Sequence, residues 1–178
     1  PFENPFADVS ENDYYYDAVL WAAKNCITGG SSATTFSPDV TCTRAQTVTF
    51  LWRVAGSPEP ETTVCPFDDV TPDQYYYDAV LWAFENGITA GSSATTFSPD
   101  VIVTRAQTAT FLWKWAKAPT IKAGNPFGDV ASDAYYYDAV VWAADEDITA
   151  GTSETTFSPD APCLRGQIVT FLYRFLAE

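Results

Sequence analysis

Ser31-Ser32-Ala33-Thr34-Thr35-Phe36-Ser37-Pro38-Asp39-Val40 returns letter for letter at Ser92–Val101 and, slightly altered, as Thr152–Ala161. Upstream of each copy, Phe6, Phe67 and Phe127 open a Phe-x-Asp-Val, and a Tyr-Tyr-Tyr-Asp-Ala-Val follows at Tyr14, Tyr75 and Tyr135. Downstream, Arg44, Arg105 and Arg165 each stand in an x-Arg-x-Gln. Corresponding residues fall 61 and then 60 positions apart, so one period runs through the 178 residues. A unit of that size is marginal alone, and a long period marks an architecture whose units bury their core against one another. The chain divides into units 1–60, 61–121 and 122–178 that fold as one cooperative body, and a binding site in one unit is expected in the others.

Within a unit, two helices are legible. Tyr15, Ala18, Val19, Ala22 and Cys26 are spaced as the apolar stripe of an amphipathic helix, and Tyr76, Ala79, Val80 and Ala83 repeat the phase. Gly87 reads as the left-handed cap that ends this first helix in unit 2; unit 1 has Cys26 in its place. A loop rich in Gly, Ser, Thr and Pro follows, pinned by Ile27 and Phe36 as buried anchors. Thr43-Arg44-Ala45-Gln46 then opens the second helix as a capping box, repeated at Thr104-Arg105-Ala106-Gln107. Leu164-Arg165-Gly166-Gln167 lacks the hydroxyl cap, a loss of about 1 kcal/mol. Phe50-Leu51-Trp52, Phe111-Leu112-Trp113 and Phe171-Leu172-Tyr173 cover most of a helix circumference, which predicts second helices contacted on several sides. The fold class expected is all-α: three helix–loop–helix repeats arranged pseudo-threefold and three-pronged around a central three-helix bundle.

Composition narrows the functions. Nine Lys plus Arg stand against 23 Asp plus Glu, a formal charge of −14. That excludes a basic nucleic-acid footprint and electrostatic adsorption to anionic lipid, and suits an exported protein held in solution by its charge. No run of about 18 apolar residues is present to span a membrane. The start at Pro1 reads as a processed or excised fragment. The chain has no histidine and no Cys-x-x-Cys, so neither a zinc site nor another metal or cofactor site is expected. Cys26, Cys42, Cys65 and Cys163 do not follow the repeat, and are read as either two disulfides or buried free thiols.

Phe-x-Asp-Val, Asp-Ala-Val, Ile-Thr-x-Gly, Phe-Ser-Pro-Asp and Thr-Arg-Ala-Gln, in order three times from Phe6 to about Arg174, resemble the S-layer homology family. That resemblance implies a three-pronged helical fold and a non-catalytic role: anchoring exported proteins to the bacterial cell wall. It implies grooves between repeats that bind an anionic secondary cell-wall polymer carrying pyruvate ketals on N-acetylmannosamine. It places Arg44, Arg105 and Arg165 on the polymer and makes Gly30, Gly91 and Gly151 the loop glycines. Where the family favours Trp after Phe-x-Asp-Val, this chain has Tyr14, Tyr75 and Tyr135. The departures at Leu164 and Gly166 put the third groove in question.

The chemistry of the residues agrees with such a ligand. A planar guanidinium takes a carboxylate bidentately, and a helix N-terminus favours an anion. A tyrosine ring offers a face to a pyranose. Gln46, Gln107 and Gln167 cap their helices first and are ligand contacts second. Asp8, Asp69 and Asp129 bond loop amides, with the polymer as a second candidate partner. Each arginine has a purely structural alternative, an ion pair with an aspartate such as Asp8 or Asp39. Two other readings compete: a surface-array interaction module with vestigial grooves, and a glycoside hydrolase with paired carboxylates. The second finds no obvious carboxylate pair. The fragment is expected to be monomeric.

Overall fold

A computed structural model describes residues 2–177 of the chain. Among them are six helices and no strands: α1 (Tyr16–Lys24), α2 (Arg44–Val54), α3 (Tyr77–Glu85), α4 (Arg105–Trp115), α5 (Tyr137–Asp145) and α6 (Arg165–Leu176). The all-α, three-repeat expectation stands.

The second helices begin where their sequence says. The Thr43 hydroxyl accepts from the Gln46 N–H at 3.2 Å, and Gln46 Oε1 accepts from the Thr43 N–H at 3.0 Å; Thr104 and Gln107 do the same. In α6 half of this survives: the Leu164 N–H still donates to Gln167 Oε1, at 3.2 Å.

The first helices are shorter than the apolar stripe suggested. α1 stops at Lys24, and Cys26, read as the last member of the stripe, is exposed with φ +58°. The Ile27 N–H returns to the Ala22 carbonyl and the Cys26 N–H to the Ala23 carbonyl. These two bonds form the left-handed helix ending that favours glycine. Gly87 (φ +70°) and Asp147 (φ +56°) hold the same conformation. The predicted anchors Ile27 and Phe36 are fully buried, as are Ile88, Phe97, Ile148 and Phe157.

The closest helix pairs are α2 with α3, α4 with α5, and α6 with α1. Each second helix therefore packs on the first helix of the following repeat, and the last repeat closes onto the first. The extended segments before the second helices make the same circuit: Cys42 N–H donates to the Cys163 carbonyl, Cys163 to Val103 and Val103 to Cys42, at 3.2, 2.9 and 2.9 Å. All three residues are fully buried. This cyclic order is consistent with the threefold arrangement expected. Of the second helices, α4 and α6 meet through Trp115 and Phe175, whose ring centroids lie 5.8 Å apart.

Candidate functional site

Arg44, Arg105 and Arg165 are buried, at 6, 2 and 9 % exposure. Each leaves the first turn of its helix and crosses into the next repeat, where Nε donates to the carbonyl of Phe97, Phe157 or Phe36 at 2.8, 2.8 and 2.9 Å. The guanidinium lies over that same phenylalanine ring, 4.8, 4.7 and 4.9 Å from its centroid. A second ring covers it at 5.5 Å: Phe111, Phe171 and Phe50 respectively. Cation–π contacts on two rings fix the plane of the fork. The ion pair with Asp8 or Asp39 is not what holds these arginines.

What remains of each fork differs. Nη2 of Arg44 and of Arg105 is buried and has no hydrogen-bond partner among the described residues. Nη2 of Arg165 reaches Thr28 Oγ1 at 3.4 Å. A buried donor left unmade is costly. Burial lowers the pKa of Arg44 and Arg105 below the ordinary guanidinium range, with nearby tyrosine and aspartate groups, and Cys163 beside Arg105, opposing it only in part.

Around each arginine lies a groove drawn from all three repeats. The first, about 520 Å³, joins Arg44 to Gly91, Gln107 and Lys114 of repeat 2 and to Tyr135 of repeat 3. The second, about 360 Å³, joins Arg105 to Gly151, Gln167 and Arg174 of repeat 3 and to Tyr14 of repeat 1. The third, about 170 Å³, joins Arg165 to Gly30, Gln46 and Arg53 of repeat 1 and to Tyr75 of repeat 2. The predicted arginines, glycines, glutamines and tyrosines thus meet, but never four from one repeat.

The tyrosines form open walls, Tyr14, Tyr75 and Tyr135 being 63, 63 and 68 % exposed. Each glutamine spends its Oε1 on the helix cap, which leaves its amide N–H donors to the groove. The loop glycines are required by shape. At Gly91 φ is +85°, and a Cβ would meet Phe67 Cε1 and the Thr96 carbonyl at 2.5 Å; Gly30 and Gly151 are equally confined.

The aspartates bond loop amides, the partner their sequence reading puts first. Asp8 accepts the N–H groups of Phe36 and Ser37 on its two oxygens at 2.8 and 2.7 Å, and lines none of the three grooves. Asp69 and Asp129 do the same for Phe97–Ser98 and Phe157–Ser158. Both acceptor oxygens are committed to the loop, so these residues tie Phe-x-Asp-Val to Phe-Ser-Pro-Asp. Desolvation pulls the Asp8 and Asp129 carboxyls up. Backbone N–H donors, helped by the Arg165 and Arg105 charges, outweigh it and hold both below the usual 3.8.

The altered third signature does not displace its arginine. Gly166 N–H donates to the Pro38 carbonyl at 2.9 Å, as Ala45 and Ala106 do to Pro99 and Pro159 at 3.0 Å. The Cα of Gly166 sits close against Tyr15, where a Cβ would come within 3.0 Å. The third groove differs in being the smallest, and in its arginine reaching Thr28.

Sequence reasoning missed a second cation in every groove. Arg53, Lys114 and Arg174 stand in the last turn of the second helices, again 61 and 60 positions apart, and the period alone would have shown them. Arg53 and Arg174 each donate through Nη1 to a buried isoleucine carbonyl, at 3.1 and 3.4 Å. Six of the nine basic residues of this acidic chain therefore line three grooves.

All four cysteines are free. Cys42 and Cys163 are wholly buried, and burial pushes their thiols up to about 11 and about 12 against the opposing pull of Arg165 on one and of Thr108 and Arg105 on the other. Among the described residues no group of three or more metal-ligating side chains comes together, and no helix is long and apolar enough to cross a membrane.

Fold and grooves define a three-repeat helical module with grooves shared between its repeats, each lined by two cationic side chains. A family model, the S-layer homology domain, matches residues 5–48, 66–109 and 126–169. The chain belongs to the S-layer homology domain family, a class of cell-wall anchoring module. It is similar to the surface-layer 125 kDa protein of Lysinibacillus sphaericus, 36 % identical over 61 % of this chain and 9 % of that protein. An endoglucanase of Bacillus sp. (strain KSM-635) is 33 % identical over 59 % of this chain and 11 % of its own length. An amylopullulanase of Thermoanaerobacterium thermosulfurigenes is 24 % identical over 99 % of this chain and 10 % of its own. The chain spans about a tenth of the length of the curated relatives it matches.

Proposed function

We propose that this chain is a non-catalytic module that holds a bacterial protein at the cell surface by binding an anionic secondary cell-wall polymer, one bearing pyruvate ketals on N-acetylmannosamine. The observation that carries the reading is the pair of buried, unpartnered guanidinium nitrogens in the grooves of Arg44 and Arg105. A ketal carboxylate supplies the missing acceptor, and the forked geometry favours a planar anion over a neutral hydroxyl. Lys114 or Arg174 offers the second charge, the glutamine amide a further donor, and Tyr135 or Tyr14 a ring for the sugar face.

These unpartnered donors also weigh against vestigial grooves in a purely structural array module, since retaining them without a ligand costs stability. The Arg44 and Arg105 grooves are the main sites. The Arg165 groove contributes less alone, because Thr28 already engages its arginine in the smallest of the three volumes. Several weak sites on one polymer add avidity. The module acts outside the cell as a monomer.

Calorimetric titration with pyruvylated N-acetylmannosamine and with its pyruvate-free counterpart tests this. Heat from the pyruvylated sugar alone supports the reading. Equal binding of both sugars, or of neither, refutes it.

A further inference from the structure

The three repeats are not equal at the C-terminal ends of their second helices. Val54, Trp115 and Phe175 occupy the same place in the repeat. Trp115 packs edge-on against Trp82 at 5.7 Å, and Phe175 against Trp142 at 5.6 Å. Val54 is too short to give Trp21 the same partner, and Trp21 meets Tyr173 of α6 instead, at 5.7 Å. Where an aromatic ring would sit there is a cleft of about 440 Å³, lined by Trp21, Asn25, Arg53, Val54, Trp115 and Leu176 among others. That volume lies in the range of small-ligand sites.

The indole N–H groups of Trp21 and Trp115, like those of Trp82 and Trp142, have no protein acceptor among the described residues, whereas Trp52 and Trp113 donate theirs to the Pro58 and Pro119 carbonyls at 2.8 and 3.0 Å. Arg53 lines both this cleft and the groove of Arg165, so the two adjoin at one side chain.

We propose that the cleft between Trp21 and Trp115 is a second sugar subsite, which takes the saccharide unit adjoining the one held in the Arg165 groove. The proposal rests on the glycan reading of that groove. Half-buried indole rings beside an amide and a guanidinium suit a pyranose: the rings cover its C–H face, while indole N–H, Asn25 and Arg53 meet its hydroxyls. Val54 is what opens the space, since Trp115 and Phe175 fill the corresponding place in the other two repeats. It adds contacts to the groove whose own volume is smallest, and an oligosaccharide spanning both should bind about three- to tenfold tighter than the monosaccharide.

The test is a two-dimensional NMR titration of the chain, following the indole N–H signals of Trp21 and Trp115 and the backbone signals of Gly30 and Gln46. The probes are pyruvylated N-acetylmannosamine and a pyruvylated trisaccharide built on it. The expected result is that the groove signals move with both sugars, that the two indoles move with the trisaccharide alone, and that Val54→Phe abolishes the indole shifts and the extra affinity. If the indoles stay fixed at saturating trisaccharide, or if Val54→Phe leaves the affinity ratio unchanged, the subsite is refuted. Failure of the groove reading looks different: Gly30 and Gln46 do not respond to the monosaccharide, and the indoles still report directly on the cleft.

Discussion

Arg44 Nε donates to the carbonyl oxygen of Phe97 at 2.8 Å, and its guanidinium lies over the ring of that same residue at 4.8 Å. One phenylalanine thus holds the arginine twice, through backbone and through ring, and leaves the outer nitrogen of the fork for something else. The same grip recurs in the other two repeats, so the orientation is a property of the fold.

Replacing the fork should therefore separate binding from folding. Arg44→Lys together with Arg105→Lys keeps both charges and loses the bidentate geometry. Affinity for a pyruvylated wall glycan is expected to fall about ten- to hundredfold, with a larger loss than for Arg165→Lys. Calorimetry on each variant gives the ranking. Arg44→Ala should in addition cost about 1–3 kcal/mol of stability, because it leaves the Phe97 carbonyl unpaired; thermal melts read that separately.

Two glycines make a matched pair for the loop. Gly91→Ala puts a Cβ 2.5 Å from Phe67 Cε1 and from the Thr96 carbonyl, so the loop must move and the Arg44 groove should lose its ligand. Gly87→Ala has the same sign of φ and open space around it, which confines its effect to about 1–2 kcal/mol of backbone strain. Unaltered glycan binding in Gly91→Ala would show that the loop takes no part.

Acid should loosen the loops before the helices. The Asp8 and Asp129 carboxyls have native pKa values below the usual 3.8, because loop N–H groups favour their charged form. A depressed carboxyl contributes stability that is complete above its unfolded pKa and is lost as the pH falls through its native value. The melting temperature is therefore expected to hold from pH 7 to about 5 and to drop below about pH 4. The Asp8→Asn, Asp129→Asn double variant should melt lower at neutral pH and show a shallower acid limb.

Thiol labelling should follow burial. Cys26, exposed, is expected to react with a maleimide in the folded protein. Cys42 and Cys163, with thiols raised to about 11 and about 12, carry almost no thiolate at neutral pH and should label only after unfolding. Mass spectrometry of the labelled chain counts them.

Salt should matter little. The field of a −14 chain fades over about 8 Å at physiological ionic strength, whereas the groove cations act at contact and are partly desolvated. Calorimetric affinity is expected to change less than about tenfold between 50 and 200 mM salt, and a steeper loss would point to long-range attraction instead.

Local chemistry accounts for what was legible in the sequence. Thr43 and Gln46 form a cap that depends on four neighbouring residues, and Phe36 is buried because a lone aromatic in a polar loop has few other places to go. The misreading of the first helix has an equally local cause. Cys26 lies in phase with the apolar stripe, yet the helix ends two residues before it, and periodicity does not register a left-handed turn. Asp8 was legible as a partner of loop amides, and only the identity of those amides, 28 and 29 positions away, had to come from the fold. What no local pattern holds is which repeat completes which groove. Arg44 sits beside Gln46 in sequence and is matched in space with Gln107, because its side chain crosses into the next unit, and that crossing is fixed by tertiary packing.

The cycle of hydrogen bonds through Cys42, Cys163 and Val103 has a bearing on how such a module is trimmed or lengthened. Since every groove borrows from all three repeats, a chain cut to two of them would retain no complete groove, not two thirds of the original set. The smallest chain that can close a groove is therefore the full triple.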